Sequence, residues 1–261
     1  MPIITLITDY GMRDYYVGAL KGVLLRIAPD THVVDVTHEV ESHNILHAAF
    51  VLRQIWPWYP PGTIHLAVVD PGVGSERRII LAQYAGRYVV APDNGLVTLV
   101  HRDEAVEATY AVENRRYFLS EVSATFHGRD IMAPVAAHLA NGVKPREFGP
   151  VIDRLELLPV ADRAEVTNQG IRGSVLYVDR FGTLVTNIRQ EQLIKTGGRN
   201  PASEVLVNGT PIGPVRSTFC EVAKGEPVAL IGSCGLLEVA VNQGRAIERF
   251  GPPEAVRVDV R

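Results

Sequence analysis

The sequence predicts an α/β domain over residues 1–160 followed by an all-β domain over 171–261. The first is a Rossmann-like sheet with helices on both faces; the second is a small antiparallel barrel. Three observations predict this. Strand-like and helix-like periodicities alternate from Ile3 to Val69, as parallel strands joined by crossover helices require. From Arg172 onward the pattern changes to short strands between turns, the signature of a barrel or sandwich. A polar stretch, 161–170, lies between them and reads as a linker.

The elements follow in order. Ile3 to Thr8 is a strand that ends at Asp9. Tyr16, Leu20, Val23, Leu24 and Ile27 recur at helical spacing, and Pro29 stops that helix. His32 to Thr37 is a second strand. Ile45, Ala48, Ala49, Leu52 and Ile55 form a second amphipathic stripe, broken at Trp56-Pro57. Thr63 to Val69 is a third strand. Arg78 to Gln83, Arg87 to Ala91 and Leu96 to Val100 are shorter strand-like pieces of a meander or mixed sheet. Asp130 to Leu139 reads as a helix with Asp130 as N-cap. In the second part, Arg172 to Asp179, Glu204 to Val207, Pro227 to Ile231, Leu236 to Val241 and Ala255 to Val258 read as strands.

Bulk properties narrow the function classes. The chain has 261 residues, 46% hydrophobic and 21% charged, an ordinary globular composition. A net charge of -3 gives no electrostatic footprint for nucleic acid or an anionic membrane. No apolar run reaches the about 18 residues a spanning helix needs. The N-terminus lacks the basic region of a secretory signal, and Cys220 and Cys234 are too few for a disulfide scaffold or zinc site. The expectation is a cytoplasmic protein with two buried thiols.

Several segments place chemistry at strand ends. Ala67-Val68-Val69-Asp70-Pro71-Gly72 delivers a carboxylate to the end of a buried strand, where open α/β sheets bind ligands. Arg77 and Arg78 follow. The segment reads equally as a turn with a solvated arginine pair. Asp9 is placed in the same way, and a carboxylate there suits a ribose diol. Asp14 reads either as a ligand contact or as the N-cap of the next helix. Neither a G-x-G-x-x-G run nor a Walker loop is present. His127, beside Gly128 at the mouth of a helix, is placed to touch a ligand or to be structural. His43 and His47 lie four apart but lack the Glu of a metal-binding helix, and His38-Glu39 forms the turn after a strand. Pro92-Asp93-Asn94-Gly95 reads as plain turn chemistry. Asp179 to Thr183 is an acid-bearing turn, and Gly232-Ser233-Cys234-Gly235 is a small-residue loop that lets backbone approach a ligand.

Taken together, Thr8-Asp9-Tyr10-Gly11, Val17-Gly18-Ala19-Leu20-Lys21-Gly22, Asp70-Pro71-Gly72-Val73-Gly74, Phe126-His127-Gly128-Arg129-Asp130, Asp179-Arg180-Phe181-Gly182 and Asn242-Gln243-Gly244 resemble the S-adenosylmethionine (SAM) hydroxide adenosyltransferases. These are relatives of the SAM-dependent fluorinases and chlorinases. The resemblance implies hydrolysis of SAM to adenosine and L-methionine, with no cofactor and no metal. It implies homotrimers with sites formed between one copy's first domain and a neighbour's second. It places a catalytic set on Asp70, Arg77 and His127, with Arg78 open as the alternative arginine. It places ribose recognition on Asp9 and the methionine amino group on Asp179. Asp14, Tyr16, Phe219, Ser233, Cys234, Asn242 and Gln243 fall at or near positions that line the pocket. Thr183 stands where the family usually has Asn, and a hydroxyl reaches less far toward an adenine edge. Asp70 occupies the place of a fluorinase Tyr, which disfavours the halogenase reading. The remaining alternatives are a metal hydrolase built on Asp9, Asp14, Asp70, Asp93 and His127, and a non-catalytic SAM or adenosine sensor.

Overall fold

A computed structural model describes residues 1–160, 163–195 and 203–261. Residues 161 and 162 of the expected linker lie outside the described residues. The chain divides into two compact units, Met1–Leu158 and Pro159–Arg261.

The first unit runs β1 (Ile3–Thr8), α1 (Tyr16–Ile27), β2 (His32–Thr37), α2 (Ile45–Ile55), β3 (Ile64–Val68), β4 (Ile79–Tyr84), β5 (Arg87–Pro92), α3 (Thr98–Asp103), β6 (Val106–Ala111) and α4 (Ala133–Ala140). Its six-stranded sheet has the order β2-β1-β3-β5-β4-β6. The β1–β2, β1–β3 and β3–β5 pairs are parallel; β4 pairs antiparallel with β5 and β6. Every residue of β3 is buried, as is all of β1 after Ile3, so both strands read as continuous apolar runs rather than alternating ones. One core packs Leu20 and Leu24 of α1 and Val135, Ala136 and Leu139 of α4 against Ile4, Leu6, Leu66 and Leu81. Another packs Ala48 and Leu52 of α2 with Ile7, Ala67, Val69 and Ile80. Adjacent strand residues alternate between the two cores, so the helices cover both faces of the sheet.

The topology positions the site. From β1 the chain crosses to β2 on one side and then returns to β3 on the other. That reversal opens a crevice at the carboxyl ends of β1 and β3, the preferred ligand position in open α/β sheets. Thr8 is paired with Val68, so Asp9 and Asp70 leave neighbouring strand ends.

Three local expectations change. Leu96 to Val100 is not a strand: α3 begins at Thr98, whose hydroxyl donates to Gly95 O (2.6 Å) and accepts Leu158 N–H (2.8 Å). A run of five residues, four of them apolar, does not distinguish strand from buried helix by period. Asp130 is not an N-cap; it lies inside a π-helical turn, Gly128–Met132, that leads into α4. Nor does Asp14 cap α1, whose N-cap is Tyr15 with no side-chain hydrogen bond. Asn44, by contrast, caps α2 by accepting His47 N–H at 2.9 Å.

The second unit comprises β7 (Glu165–Thr167), β8 (Gly170–Val178), β9 (Leu184–Arg189), α5 (Gln190–Lys195), β10 (Val205–Val207), β11 (Thr210–Gly213), β12 (Val215–Arg216), β13 (Pro227–Ile231), β14 (Leu236–Val241), α6 (Ala246–Phe250) and β15 (Arg257–Val260). Its sheet has the order β11-β10-β15-β8-β9-β14-β13-β12, with β7 beside β8. The strands are antiparallel except for the β12–β13 pair. β11 comes alongside β13, so the sheet curls into a nearly closed barrel around Ile171, Leu184, Val205, Leu237, Val239 and Val258. No helix among the described residues is long and apolar enough to cross a membrane.

Candidate active site

Three segments meet at the β1/β3 crevice: residues 9–13 after β1, 69–78 after β3, and 118–128 before α4. Asp70 lies two residues beyond the end of β3, after Val69. Arg77, at the far end of the same loop, folds back on it: Nε donates to Asp70 Oδ1 at 2.7 Å and Nη2 donates to Oδ2, a two-pronged charge-assisted pair. The Arg77 Nη2 group also lies 3.1 Å from His127 Nδ1. A guanidinium has only donors, so Nδ1 accepts and the imidazole is neutral with its proton on Nε2. Burial lowers the His127 pKa below the ordinary histidine value, and the Arg77 charge adds to this against the opposing carboxylates of Asp70 and Asp130.

Arg78 faces elsewhere. Its Nε donates to Asp93 Oδ2 at 2.9 Å, and Glu156 N–H donates to Asp93 Oδ1 at 2.9 Å. Asp93, in the bend after β5, is therefore a buried structural anchor rather than a partner of Asp70. Asn94 adds to this by donating Nδ2–H to Val69 O at 2.9 Å.

Backbone close approach brings the loops together. Gly74 has φ +80°, and a Cβ there would stand 2.5 Å from Ala124 O. Only glycine permits this contact between the loop of Asp70 and Arg77 and the loop of His127. A side chain at Gly128 would likewise collide with Tyr10 Oη and Val68 Cγ1. The 118–128 segment is held by buried Asp130, which accepts Ser123 N–H (2.9 Å) and the Arg129 guanidinium (2.6 Å).

Asp9, Asp70 and His127 line one cavity of about 170 Å³ with Tyr10, His43, Val73 and Thr125. Asp9 Oδ2 accepts His43 N–H at 3.0 Å, leaving its other oxygen open to a ligand. His43 stands outside α2 with φ +67°, so it does not share a helix face with His47. His47 Nδ1 instead accepts Glu41 N–H at 3.2 Å. Among the described residues no group of three or more His, Cys, Asp or Glu is arranged to hold a metal ion. Asp14 is exposed, and Tyr16 packs at 5.8 Å from Tyr10 and edge-on at 5.4 Å from Phe126; neither lines this cavity. The sequence offered His43 only as a weak metal ligand paired with His47 and gave Tyr10 and Thr125 no separate role, because their placement depends on loop conformation.

The second unit carries a cavity of about 910 Å³. Asp179, Thr183, Phe219, Ser233 and Gln243 line it, and Phe181, Glu238 and Arg245 join them. Asp179 Oδ1 accepts Phe181 N–H (2.9 Å) and Thr183 N–H (2.8 Å), which fixes the turn after β8. Cys234 and Asn242 do not line the cavity. The Cys234 thiol donates toward Glu238 Oε1 at 3.9 Å, and Asn242 donates to Val222 O at 2.9 Å. Burial and the Asp179 charge push the Glu238 carboxyl up against the opposing thiol hydrogen bond. Cys220 is exposed and Cys234 half-buried, which corrects the expectation of two buried thiols.

Comparison with known proteins identifies the family. Residues 4–149 match the SAM hydroxide adenosyltransferase N-terminal domain and residues 173–258 its C-terminal domain. An (R)-S-adenosyl-L-methionine hydrolase of Thermus thermophilus is 40% identical, covering 97% of this chain and 96% of its own. One of Salinispora tropica is 42% identical, covering 98% and 97%. A fluorinase of Actinoplanes sp. is more distant, at 30% identity. A crystal structure of a conserved Thermotoga maritima protein superposes with a TM-score of 0.92 at 37% identity, covering 98% of this chain and 99% of that one. The chain belongs to the SAM hydroxide adenosyltransferase family.

Proposed function

We propose that this protein hydrolyses SAM to adenosine and L-methionine by attack of water on ribose C5′, with Asp70, Arg77 and His127 as the groups that hold the water. The observation that carries the reading is the convergence of these three side chains at the β1/β3 crevice of a chain similar over its length to (R)-SAM hydrolases.

The chemistry suits these groups. A C5′–O bond forms as the C5′–S bond breaks, and the bonding pair leaves with sulfur as a neutral thioether. No acid is needed for departure. The difficulty is a weak nucleophile, and holding it in line supplies several kcal/mol of the barrier. Asp70 keeps lone pairs that Arg77 does not use, and these accept the water proton. The His127 Nε2–H is available to the water oxygen. The set orients and polarises water first and takes its proton as the C5′–O bond forms. The Asp70 carboxylate disfavours a halide as nucleophile. Asp9 holds the ribose diol and Asp179 the methionine ammonium. Thr183, Phe219, Ser233 and Gln243 complete the substrate cavity, with Asp14, Tyr16, Cys234 and Asn242 near it.

The reading includes a homotrimer in which a neighbouring copy's second unit completes each site, a cytoplasmic location and independence from metal. It takes the (R) sulfonium epimer as substrate, as the names of the hydrolase relatives state for those proteins. Chromatography of reactions with each epimer in chloride buffer containing EDTA tests it. The expected products are adenosine and methionine from (R)-SAM. A 5′-chloro nucleoside makes the protein a halogenase, and tight binding without product makes it a sensor.

A further inference from the structure

The proposed reaction leaves two buried imidazoles, His38 and His65, without a task. His38 follows β2 and is 4% exposed. Its Nε2 lies 2.9 Å from Asp35 Oδ1 and its Nδ1 lies 2.8 Å from Thr8 Oγ1. On the far side, Lys21 Nζ of α1 donates to Asp35 Oδ2 at 2.5 Å. These four side chains form one continuous row from the half-exposed lysine to the fully buried threonine at the end of β1.

The row ends on the backbone around Asp9. Thr8 Oγ1 accepts Tyr10 N–H at 3.3 Å, and the His38 carbonyl accepts Gly11 N–H at 2.7 Å. Thr8 O also accepts Val40 N–H at 3.3 Å. Asp9 thus sits between two backbone groups fastened to His38 and its bonded partner. The proton inventory is consistent along the row. Asp35 only accepts, so His38 carries its proton on Nε2. Nδ1 then accepts the Thr8 O–H, whose oxygen remains free to accept from Tyr10. Each member has a distinct donor and acceptor role, which makes the row directional rather than a set of isolated contacts. Burial opposes the charge on Asp35, but the hydrogen bonds from Lys21 and His38 and the Lys21 charge outweigh it and hold its carboxyl below the ordinary value.

We propose that Lys21, Asp35, His38 and Thr8 are positioning residues that fix the Asp9 carboxylate for the substrate ribose. The proposal rests on the reading of Asp9 as the ribose-binding acid. None of the four lines the cavity of Asp9, Asp70 and His127, so they act on the substrate through the 8–11 backbone.

The test uses the full chain and four proteins: wild type, Thr8→Val, Thr8→Ser and Lys21→Met. Thr8→Val keeps the shape of the side chain and removes the hydroxyl; Thr8→Ser restores it. Steady-state kinetics on (R)-SAM and calorimetric binding of adenosine are read for each. Thr8→Val is expected to raise KM and the adenosine Kd about tenfold, the size of one unsatisfied buried hydrogen bond, with kcat within about twofold. Thr8→Ser should stay near wild type, and Lys21→Met should raise KM about two- to fivefold. An unchanged KM in Thr8→Val, equal losses in Thr8→Val and Thr8→Ser, or a loss confined to kcat overturns the proposal while the function stands. A wild type that neither turns over SAM nor binds adenosine overturns the substrate reading, and this proposal with it.

Discussion

At the residue scale, chemistry is divided between side chains that differ in what they can donate. Asp70 is ion-paired and accepts; Arg77 only donates; His127, neutral, accepts from Arg77 on its other side. Replacing Asp70 with Ala removes the proposed acceptor for the water proton and touches neither Asp9 nor the residues of the second-unit cavity. Turnover should fall about 10²–10⁴-fold with the SAM dissociation constant little changed, measured by kinetics and calorimetry. Near wild-type turnover removes Asp70 from the chemistry. The His127 environment sets a pH dependence. Because its pKa is lowered, the neutral form persists to more acidic pH than an ordinary histidine. The kcat/KM profile should stay flat from about pH 8 down past the ordinary value near 6.5 and fall only below it. A limb centred above 6.5 contradicts the neutral assignment. Asp9, Asp70 and His127 were legible because each sits at an element end with a functional group and a neighbouring glycine or turn. The choice of arginine was not legible: consecutive residues entering a strand point to opposite sides, and only the fold shows that Arg77 meets Asp70 while Arg78 meets Asp93.

At the element scale, the site depends on two loops whose backbones touch. Gly74→Ala introduces a Cβ at positive φ, 2.5 Å from Ala124 O, so the 69–78 and 118–128 segments must separate. A displacement of about 1 Å costs on the order of 10²-fold in a positioned reaction. The variant should lose that much kcat/KM while retaining its circular dichroism spectrum; unchanged kinetics would show that the loops tolerate separation. The long periodic elements of the first unit were legible because burial on defined faces leaves a strong pattern. The short ones were not. Val106–Ala111 alternates weakly and has two exposed residues at its start, so β6 carried little apolar signal. Asp130 mimicked a cap because Asp before an apolar run is the usual N-cap pattern. Its burial and its bonds to Ser123, seven residues back, and to the adjacent Arg129 come from the way the preceding loop folds over it, which the local pattern does not show.

At the scale of the whole molecule, a six-stranded α/β unit and a nearly closed β unit carry separate groups of candidate substrate contacts. Both architectures were legible from the change of periodicity along the chain, whereas the partial closure of the second sheet depends on strands as short as two residues. The proposed trimer predicts a light-scattering mass three times the 28.6 kDa of the chain; a monomer at micromolar concentration contradicts it. Water held by Asp70, Arg77 and His127 is proposed to attack C5′ of SAM, and isotope tracing reads the new C5′–O bond directly. Turnover of (R)-SAM in ¹⁸O-labelled water, followed by mass spectrometry, should place one ¹⁸O on the 5′ oxygen of adenosine and none in methionine. Unlabelled adenosine, label in methionine, or a halogenated nucleoside would contradict the account.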